Sequence, residues 1–319
     1  MVLEERHPLI DKIINNIDSV MIGKTDIAEL SLIALLAEGH VLLEDVPGVG
    51  KTMMVRALAT SINASFKRIQ FTPDLLPSDV TGTSIYNPKE QEFIFRPGPI
   101  IGNIILADEI NRTSPKTQSA LLEGMEEASV TIDGITRILE QPFFVMATQN
   151  PIEYEGTYPL PEAQLDRFLL KMKMGYPELH EEMEVLNRAQ AGHPIEYIQP
   201  VVSIEEIRHL QKQVKEVYVD DTIKKYIVEI AYTTRKDKDV YLGASPRGSI
   251  ALMKAGQAYA LMKGRDYVIP DDIQYLAPFV FSHRIILKPE AKYSGISTEE
   301  LVKNILARVS VPVQRYVKK

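Results

Sequence analysis

Residues 41–52 read VLLEDVPGVGKT, and the fold prediction starts from this segment. It passes from a short run of β-type residues through a glycine-containing turn into a helical pattern that begins near Lys51. In loops of this kind, backbone N–H groups and the N-terminus of the helix face an anion. The lysine then reaches the β- and γ-phosphates of a nucleotide, and Thr52 after it ligates Mg²⁺. The stretch therefore predicts a phosphate-binding loop for ATP and Mg²⁺. Its predicted nucleotide contacts are Pro47, Gly48, Val49, Gly50, Lys51, Thr52 and Met53.

Asp45 occupies the position where the usual pattern, G-x-x-x-x-G-K-[ST], has its first glycine. A carboxylate that faced the phosphates would repel them. We therefore expect either that Asp45 points away from the loop or that the site is weaker than the pattern suggests. For residues 48–52 taken alone, an ordinary turn between a strand and a helix is the alternative interpretation.

An apolar strand pattern that ends in two acids supplies the second half of the predicted site. Residues 104–107 are apolar and lead into Asp108 and Glu109. Such a strand end is common by itself, but downstream of a phosphate-binding loop it predicts that Asp108 positions Mg²⁺ through its waters. Glu109 is then predicted to polarise the attacking water.

Short β-type runs alternate with helical segments along the first half of the chain. The predicted strands are residues 41–44, 67–71, 104–108, 143–148 and 169–174. An amphipathic first helix is predicted by isoleucines at helical spacing, namely Ile10, Ile13, Ile14 and Ile17. The alternation predicts an α/β fold with a mostly parallel sheet and helices on both faces. After Tyr176 the β-type runs stop, so we predict a nucleotide-binding core over residues 1–176 and an all-α domain over residues 177–319.

Two hairpin patterns interrupt this alternation. The sharper one spans residues 130–137, where Asp133-Gly134 suits a two-residue turn between alternating strands. The looser one spans residues 83–95. A surface flap on the sheet is the simple interpretation of either hairpin.

Composition narrows the classes of function. The formal net charge of −7 argues against a chain-wide electrostatic footprint for nucleic acid. The sequence has no cysteine, and its histidines are scattered without ligand spacing, so we expect no structural metal. Residues 1–17 break their apolar positions with polar and charged residues. We therefore predict no signal peptide, no membrane insertion and a cytoplasmic location.

Several further motifs follow one another along the chain. They are residues 70–82 (QFTPDLLPSDVTG), 98–99 (GP), 108–112 (DEINR), 115–123 (PKTQSALLE), 147–151 (ATQNP) and 155–168 (EGTYPLPEAQLDRF). Together they resemble the MoxR branch of the AAA+ ATPases, densely in the first half of the chain and thinly in the second. The resemblance implies a P-loop AAA+ core followed by a helical lid.

The resemblance also implies roles for single residues. Asn150 is similar to the polar sensor that holds the attacking water or the γ-phosphate, with a turn-initiating asparagine as the alternative. The resemblance implies that Arg167 reaches into the site of a neighbouring subunit. An arginine in that position accelerates phosphoryl transfer by a factor of about 10³ to 10⁵. Arg112 is a second candidate for this trans-acting arginine, and a surface salt bridge is an equally good interpretation of Arg112.

In the second half, residues 245–247 (SPR) indicate an N-cap, a first-turn proline and a cation at the start of a long helix. A cation there opposes the helix dipole, which suggests an anionic partner for Arg247. The resemblance makes Arg247 the lid arginine that touches the γ-phosphate, and a solvated arginine is the alternative. The resemblance also places residues 21–24 around the adenine, although core packing explains Met21 and Ile22 equally well.

As a whole, the resemblance implies a ring-forming ATPase, with a homo-hexamer as the family expectation. It would remodel or activate a protein partner, such as one with a von Willebrand A domain. The two hairpins resemble inserts that face the central pore of such rings. Three alternatives stay open: a nucleic-acid motor, a motor subunit like that of magnesium chelatase, and a nucleotide-gated scaffold with little turnover.

Overall fold

The computed structural model describes residues 6–46, 48–150, 157–191, 195 and 197–312. Its strands are β1 (Val41–Glu44), β2 (Phe66–Gln70), β3 (Gly82–Asn87), β4 (Glu92–Pro97), β5 (Ile104–Asp108), β6 (Ser129–Ile132), β7 (Ile135–Ile138), β8 (Phe144–Gln149), β9 (Leu170–Met172), β10 (Val240–Leu242) and β11 (Ile286–Leu287). Its helices are α1 (Pro8–Asp18), α2 (Thr25–Leu36), α3 (Lys51–Ser61), α4 (Pro77–Thr81), α5 (Pro115–Glu127), α6 (Glu162–Leu165), α7 (Leu179–Ala191), α8 (Ile204–Glu216), α9 (Asp221–Lys236), α10 (Pro246–Met262), α11 (Pro270–Phe281), α12 (Pro289–Tyr293) and α13 (Thr298–Arg308). The α/β fold with a parallel sheet and a helical second part is confirmed.

The chain divides into two compact units. One runs from Pro8 to Leu210, and the other begins at Gln211 and also takes in the segment that ends at His7. The backbone N–H of His7 donates to the carbonyl of Met262, which ties that segment to the second unit. The predicted domain boundary after residue 176 stays a prediction.

The sheet of the first unit positions the ends of several strands side by side. Within the described residues its order is β2-β5-β8-β1-β9, and every neighbouring pair is parallel. Strand β5 is buried from Ile104 to Ala107, as expected for a strand covered on both faces. Because the strands are parallel, Glu44, Asp108 and Gln149 end at the same edge of the sheet.

Helices pack on this sheet through apolar faces that the sequence predicts. The four isoleucines of the first helix are all buried along α1. Helix α2 is buried from Ile27 to Leu36, so it lies in the core rather than on the surface. Helix α1 contacts α2 and α3, and α2 contacts β9, the strand that neighbours β1 in the sheet.

Both predicted hairpins form, as β3/β4 and β6/β7. Asp133 and Gly134 have φ of 52° and 76°, the combination that a type I′ turn requires. The guanidinium of Arg137 on β7 lies 4.0 Å from the centre of the Phe95 ring on β4. This cation–π contact joins the two hairpins.

The second unit is mainly helical, as predicted. Ser245 caps α10 by accepting the N–H of Gly248, and Pro246 occupies the first turn. The unit also contains a short antiparallel pair, β10 with β11, that the sequence did not predict. Among the described residues, no helix combines the length and apolarity needed to cross a membrane.

Candidate nucleotide-binding site

A cavity of about 480 Å³ lies at the edge of the sheet where β1, β5 and β8 end, a size that suits a small-molecule site. Its lining combines the glycine-containing loop, the first part of α3, polar residues near the ends of three other strands, and Ile195. They are Asp45, Gly48, Gly50, Lys51, Thr52, Met53, Arg56, Arg68, Gln70, Asp108, Glu109, Asn150 and Ile195. The fold thus gathers most of the predicted site residues in one place.

The loop presents the start of α3 to this cavity. Gly50 precedes α3 with φ of 92°, a left-handed conformation that a glycine adopts without strain. Glycine has no side chain that could cap the helix, so the first-turn N–H groups are left to an anion. Met21 lies against this loop, since its Cε would be 3.3 Å from a Cβ at Gly50. The contact of Met21 with adenine stays a prediction.

Two predicted loop contacts are not among the described lining residues. Pro47 lies outside the described residues. Val49 lies in the loop but is not among the residues that line the cavity in the described part of the chain. The neighbouring Lys51 does line the cavity, and its Nζ donates to the carbonyl oxygen of Asp45 at 3.0 Å.

The Asp45 carboxylate is turned into the protein. Its Oδ1 accepts the N–H of Val46 at 2.9 Å, and its Oδ2 accepts those of Met174 and Gly175 at 2.6 Å each. The side chain therefore points away from the loop, the first of the two expectations. These bonds join the end of β1 to the segment after β9, so the acid braces the loop.

The Asp108 carboxylate is fixed on both sides. Its Oδ1 accepts the hydroxyl of Thr148 at 2.7 Å, and that threonine is fully buried. Its Oδ2 lies 2.5 Å from Nη2 of Arg68, which also donates to Oε1 of Gln70 at 2.8 Å. One oxygen is thus anchored to the core and the other is paired with an arginine that lines the cavity.

Glu109 is held next to Asp108 by an unusual backbone and two side-chain donors. Its φ of 58° is left-handed, and its N–H donates to the hydroxyl oxygen of Thr148 at 2.8 Å. Its Oε2 accepts Nε2 of Gln70 and Nη1 of Arg112, both at 2.9 Å. Thr148 therefore links the two acids, and a strained backbone at such a position is typical of functional sites.

The remaining predicted residues fall in different places. Asn150 lines the cavity, and its carbonyl oxygen accepts Nδ2 of Asn111 at 3.3 Å. Arg167 is not among the described lining residues, and its Nη2 instead lies 3.0 Å from Oε2 of Glu126. Arg247 is exposed at the first turn of α10, in the second unit.

The residues present fit a magnesium nucleotide. The hydroxyl of Thr52 and the carboxylate of Asp108 are the hard oxygen donors that Mg²⁺ prefers, and both line the cavity. Lys51, Arg56 and Arg68 bring positive charge to the same space, as phosphates require.

Sequence reasoning missed three polar lining residues, Arg56, Arg68 and Gln70, and the apolar Ile195. A signal existed for Gln70, because it ends β2 beside β5, whose last residue is Asp108. The carboxyl ends of parallel neighbours meet at one edge, so a polar residue there belongs with the acids. Arg56 and Arg68 gave no such signal, since exposed arginines are common on helices and edge strands.

The sheet order, the phosphate-binding loop and the adjacent acids define a P-loop protein with an AAA+ core and a helical lid. Residues 40–170 match the family described as ATPase family associated with various cellular activities (AAA), and residues 232–305 match the AAA lid domain. The two matches cover the core and the lid of one AAA+ ATPase.

One relative is the uncharacterised protein YeaC of Bacillus subtilis, 69% identical over 312 residues that make up 98% of each chain. Another is the chaperone MoxR1 of Mycobacterium tuberculosis, 43% identical over 97% of this chain and 83% of that protein. A crystal structure of a provisionally assigned ATPase from Cytophaga hutchinsonii superimposes with a TM-score of 0.90 at 41% identity, covering 96% of this chain and 95% of that one. The chain therefore belongs to the MoxR family of AAA+ ATPases, and the sequence resemblance to that branch is confirmed.

Proposed function

We propose that this chain binds Mg-ATP in the cavity at the sheet edge and hydrolyses it to ADP and phosphate. The observation that carries the proposal is the juxtaposition in one cavity of the loop lysine Lys51, the acids Asp108 and Glu109, and Asn150. A P-loop ATPase needs a phosphate cradle, a metal-positioning acid and a water-orienting group in this arrangement.

The chain's own residues divide the work as follows. Lys51 and the N–H groups at the start of α3 hold the phosphates, while Thr52 and Asp108 hold the cation. When bound, Mg²⁺ supplies charge neutralisation on the phosphate oxygens. Asn150 orients the attacking water. Glu109 accepts the proton of this water; in this structure its Oε2 is engaged by Gln70 and Arg112.

The larger role follows from the family. A ring, with a homo-hexamer as the expected form, would let Arg167 act in a neighbouring site and Arg247 act from the lid. The hairpins would contact the protein partner, for which a von Willebrand A domain protein is one candidate. Exposed apolar side chains on β3/β4 support a protein contact, namely Ile85, Tyr86, Phe93 and Ile94. The relative MoxR1 is a chaperone by name, which supports a protein partner as well. The cytoplasmic location stays a prediction.

A nucleotide-gated scaffold with little turnover is the second candidate. It is favoured by the ion pairs that engage both acids, Arg68 with Asp108 and Arg112 with Glu109. If these pairs persist with nucleotide bound, the proton-accepting carboxylate of Glu109 stays occupied and hydrolysis is slow.

Steady-state ATP turnover and nucleotide affinity of the wild type and of Glu109→Gln test the proposal. The variant is expected to bind ATP with wild-type affinity and to lose about 10²-fold or more in turnover, because it keeps the shape of the side chain but cannot accept a proton. The control is Glu123→Gln, an exposed acid on α5 outside the cavity. A wild type that binds ATP without turnover would favour the scaffold, and one that binds no nucleotide would refute the site.

A further inference from the structure

Two buried charged side chains bind the segment that follows β9. Lys24 immediately precedes α2, and Asp45 immediately follows β1. Among the residues that the structure describes, neither side chain takes part in an ion pair. A buried charge without a counterion is costly unless hydrogen bonds and dipoles compensate it. Both charges must therefore be compensated by dipoles close to them.

The compensating dipoles belong to the backbone after β9. Nζ of Lys24 donates to the carbonyl oxygen of Met174 at 2.9 Å and to that of Tyr176 at 3.2 Å. Oδ2 of Asp45 accepts the N–H groups of Met174 and Gly175 at 2.6 Å each. The carbonyl of Met174 and the N–H of Gly175 belong to one peptide unit, and in a trans peptide they point in opposite directions. That unit is therefore bound by a cation at its oxygen and by an anion at its N–H.

This arrangement aligns the dipole of the peptide unit between the two charges. A peptide unit carries a dipole of about 3.5 D, with its negative end at the oxygen and its positive end at the N–H. Each charge thus stabilises the orientation of the peptide that the other charge requires. Burial strengthens both contacts, because the local dielectric constant is low. Removing one charge is therefore expected to weaken the contact that the other charge makes with the same peptide unit.

The bound segment also lies against the phosphate-binding loop. Cε of Met174 would be 3.9 Å from a Cβ at Gly50, the left-handed residue before α3. Asp45 is connected to the loop as well, because Nζ of Lys51 donates to its carbonyl oxygen. Gly50 and Lys51 both line the cavity of the proposed nucleotide site. The conformation of the loop therefore depends on where this peptide unit is held.

We propose that Lys24 is a positioning residue for the nucleotide. Together with Asp45 it fixes the peptide unit between Met174 and Gly175, and this unit holds the phosphate-binding loop in the conformation that binds nucleotide. The two charged side chains act as a pair through the peptide that separates them. This inference rests on the proposed Mg-ATP site and adds to it a buried lysine that is not among the described residues that line the cavity.

Lys24→Met tests the proposal, because it keeps the apolar stem of the side chain and removes the charge. In the full-length protein without nucleotide, hydrogen exchange at the amides of Met174 and Gly175 is expected to become about tenfold faster. ADP affinity, measured by isothermal titration calorimetry, is expected to fall about threefold to tenfold, because the binding-competent loop becomes a less populated state. At saturating ATP, kcat is expected to stay within about twofold of the wild-type value, since the groups that carry the chemistry are unchanged.

Lys173→Met is the matched control, because this lysine is exposed and precedes Met174 in the chain. It is expected to keep wild-type exchange and wild-type ADP affinity. Lys24→Gln retains a donor for the carbonyls and gives the same comparison should Lys24→Met fail to fold. In the double variant Lys24→Met with Asp45→Asn, the loss of ADP affinity is expected to be smaller than the product of the two single losses, because both side chains act on one peptide unit.

Unchanged exchange in Lys24→Met would overturn the role of Lys24 in holding the peptide. Faster exchange with wild-type ADP affinity would overturn its link to the phosphate-binding loop, and the Mg-ATP proposal would stand. A double variant whose loss equals the product of the single losses would show that Lys24 and Asp45 act independently, against the inference. A wild type that binds no ADP would refute the nucleotide site itself, and with it the nucleotide role of Lys24.

Discussion

At the scale of single residues, Asp45 shows how the fold accommodates an acid at the position of the first motif glycine. Its carboxylate accepts N–H groups of Val46, Met174 and Gly175, and the side chain is buried. Hydrogen bonds to a charged group are worth more than those between neutral groups, because the full charge attracts the N–H dipoles more strongly. The acid stabilises the end of β1 and does not oppose the phosphates.

Asp45→Gly restores the usual motif and is expected to destabilise the protein. The change leaves the N–H groups of Met174 and Gly175 unpaired, at a cost of about 2 to 3 kcal/mol in the free energy of unfolding. Urea unfolding measures this loss, and nucleotide affinity is expected to stay the same or fall. A variant as stable as the wild type would contradict the bracing role of Asp45.

His40 is a second buried residue, and its hydrogen bonds define its protonation state. Its Nδ1 accepts the N–H of Val145 and its Nε2 faces the carbonyl oxygen of Met125, so the ring is neutral with the proton on Nε2. Burial lowers the pKa of His40 from 6.5 to about 4, against a smaller opposing effect of the Met125 carbonyl.

Because the folded chain binds this proton less readily than the unfolded chain, the free energy of unfolding is expected to fall as pH decreases from about 6.5 to about 4. The contribution of His40 over that window is at most roughly 3 kcal/mol. Urea unfolding across the window is expected to show a shallower pH dependence in His40→Gln. The exposed His180→Gln is the control and is expected to keep the wild-type slope. Equal slopes in His40→Gln and the wild type would contradict the assignment.

At the scale of elements, the base of the β3/β4 hairpin depends on a close approach of two backbone segments. A Cβ at Gly98 would overlap the carbonyl oxygen of Val80 and the amide nitrogen of Gly82. The N–H of Gly98 also donates to the carbonyl of Thr81 at 3.3 Å. Glycine at position 98 is therefore a steric requirement for closing the hairpin.

Gly98→Ala is expected to lower the free energy of unfolding by about 1 to 3 kcal/mol, the usual cost of an overlap that the backbone must relieve. Hydrogen exchange in residues 82–97 should accelerate, because the strain falls on the hairpin. In the control Gly102→Ala, the new methyl meets the flexible Lys67 side chain and the cost is expected to be smaller. Unchanged exchange in Gly98→Ala would contradict the steric argument.

The elements around the site could be predicted from the sequence because each has a local signal. The apolar run at residues 104–107 and the glycine-containing loop before Lys51 mark strand ends and a helix start by themselves. The same holds for the Asp133-Gly134 turn. The short pair β10/β11 gave no signal, since strands of two or three residues are too short for a periodic pattern.

Contacts between distant parts of the chain could not be predicted. Asp45 bonds to residues 174–175, and Arg68 bonds to Asp108, but nothing near either residue in the sequence marks its partner. Arg68 has the pattern of an exposed strand residue. Only the register of β2 against β5, which pairs Gln70 with Asp108, brings it to the acids.

At the scale of the whole molecule, the two candidate arginines differ in what they contact. Arg112 bonds to Glu109 of its own chain, 2.9 Å away. Arg167 pairs with Glu126 and is not among the described residues that line its own cavity. The contact of Arg112 favours a role within its own subunit. The position of Arg167 favours a role in the site of a neighbouring subunit, and the active sites would then be shared between chains.

Mixed oligomers separate these roles. Arg167→Ala and Glu109→Gln are each expected to lose most ATP turnover when assayed alone. An equal mixture of the two variants should recover at most about a quarter of the wild-type rate. Random mixing places an intact Glu109 beside an intact Arg167 at about that fraction of interfaces. Arg112→Ala mixed with Glu109→Gln is the matched control. It is expected to recover nothing, since Arg112 and Glu109 act within the same chain.

Differently tagged subunits, co-purified, establish that mixed assemblies form. Recovery with Arg112→Ala and none with Arg167→Ala would exchange the two roles, and recovery with neither would place each active site within a single chain.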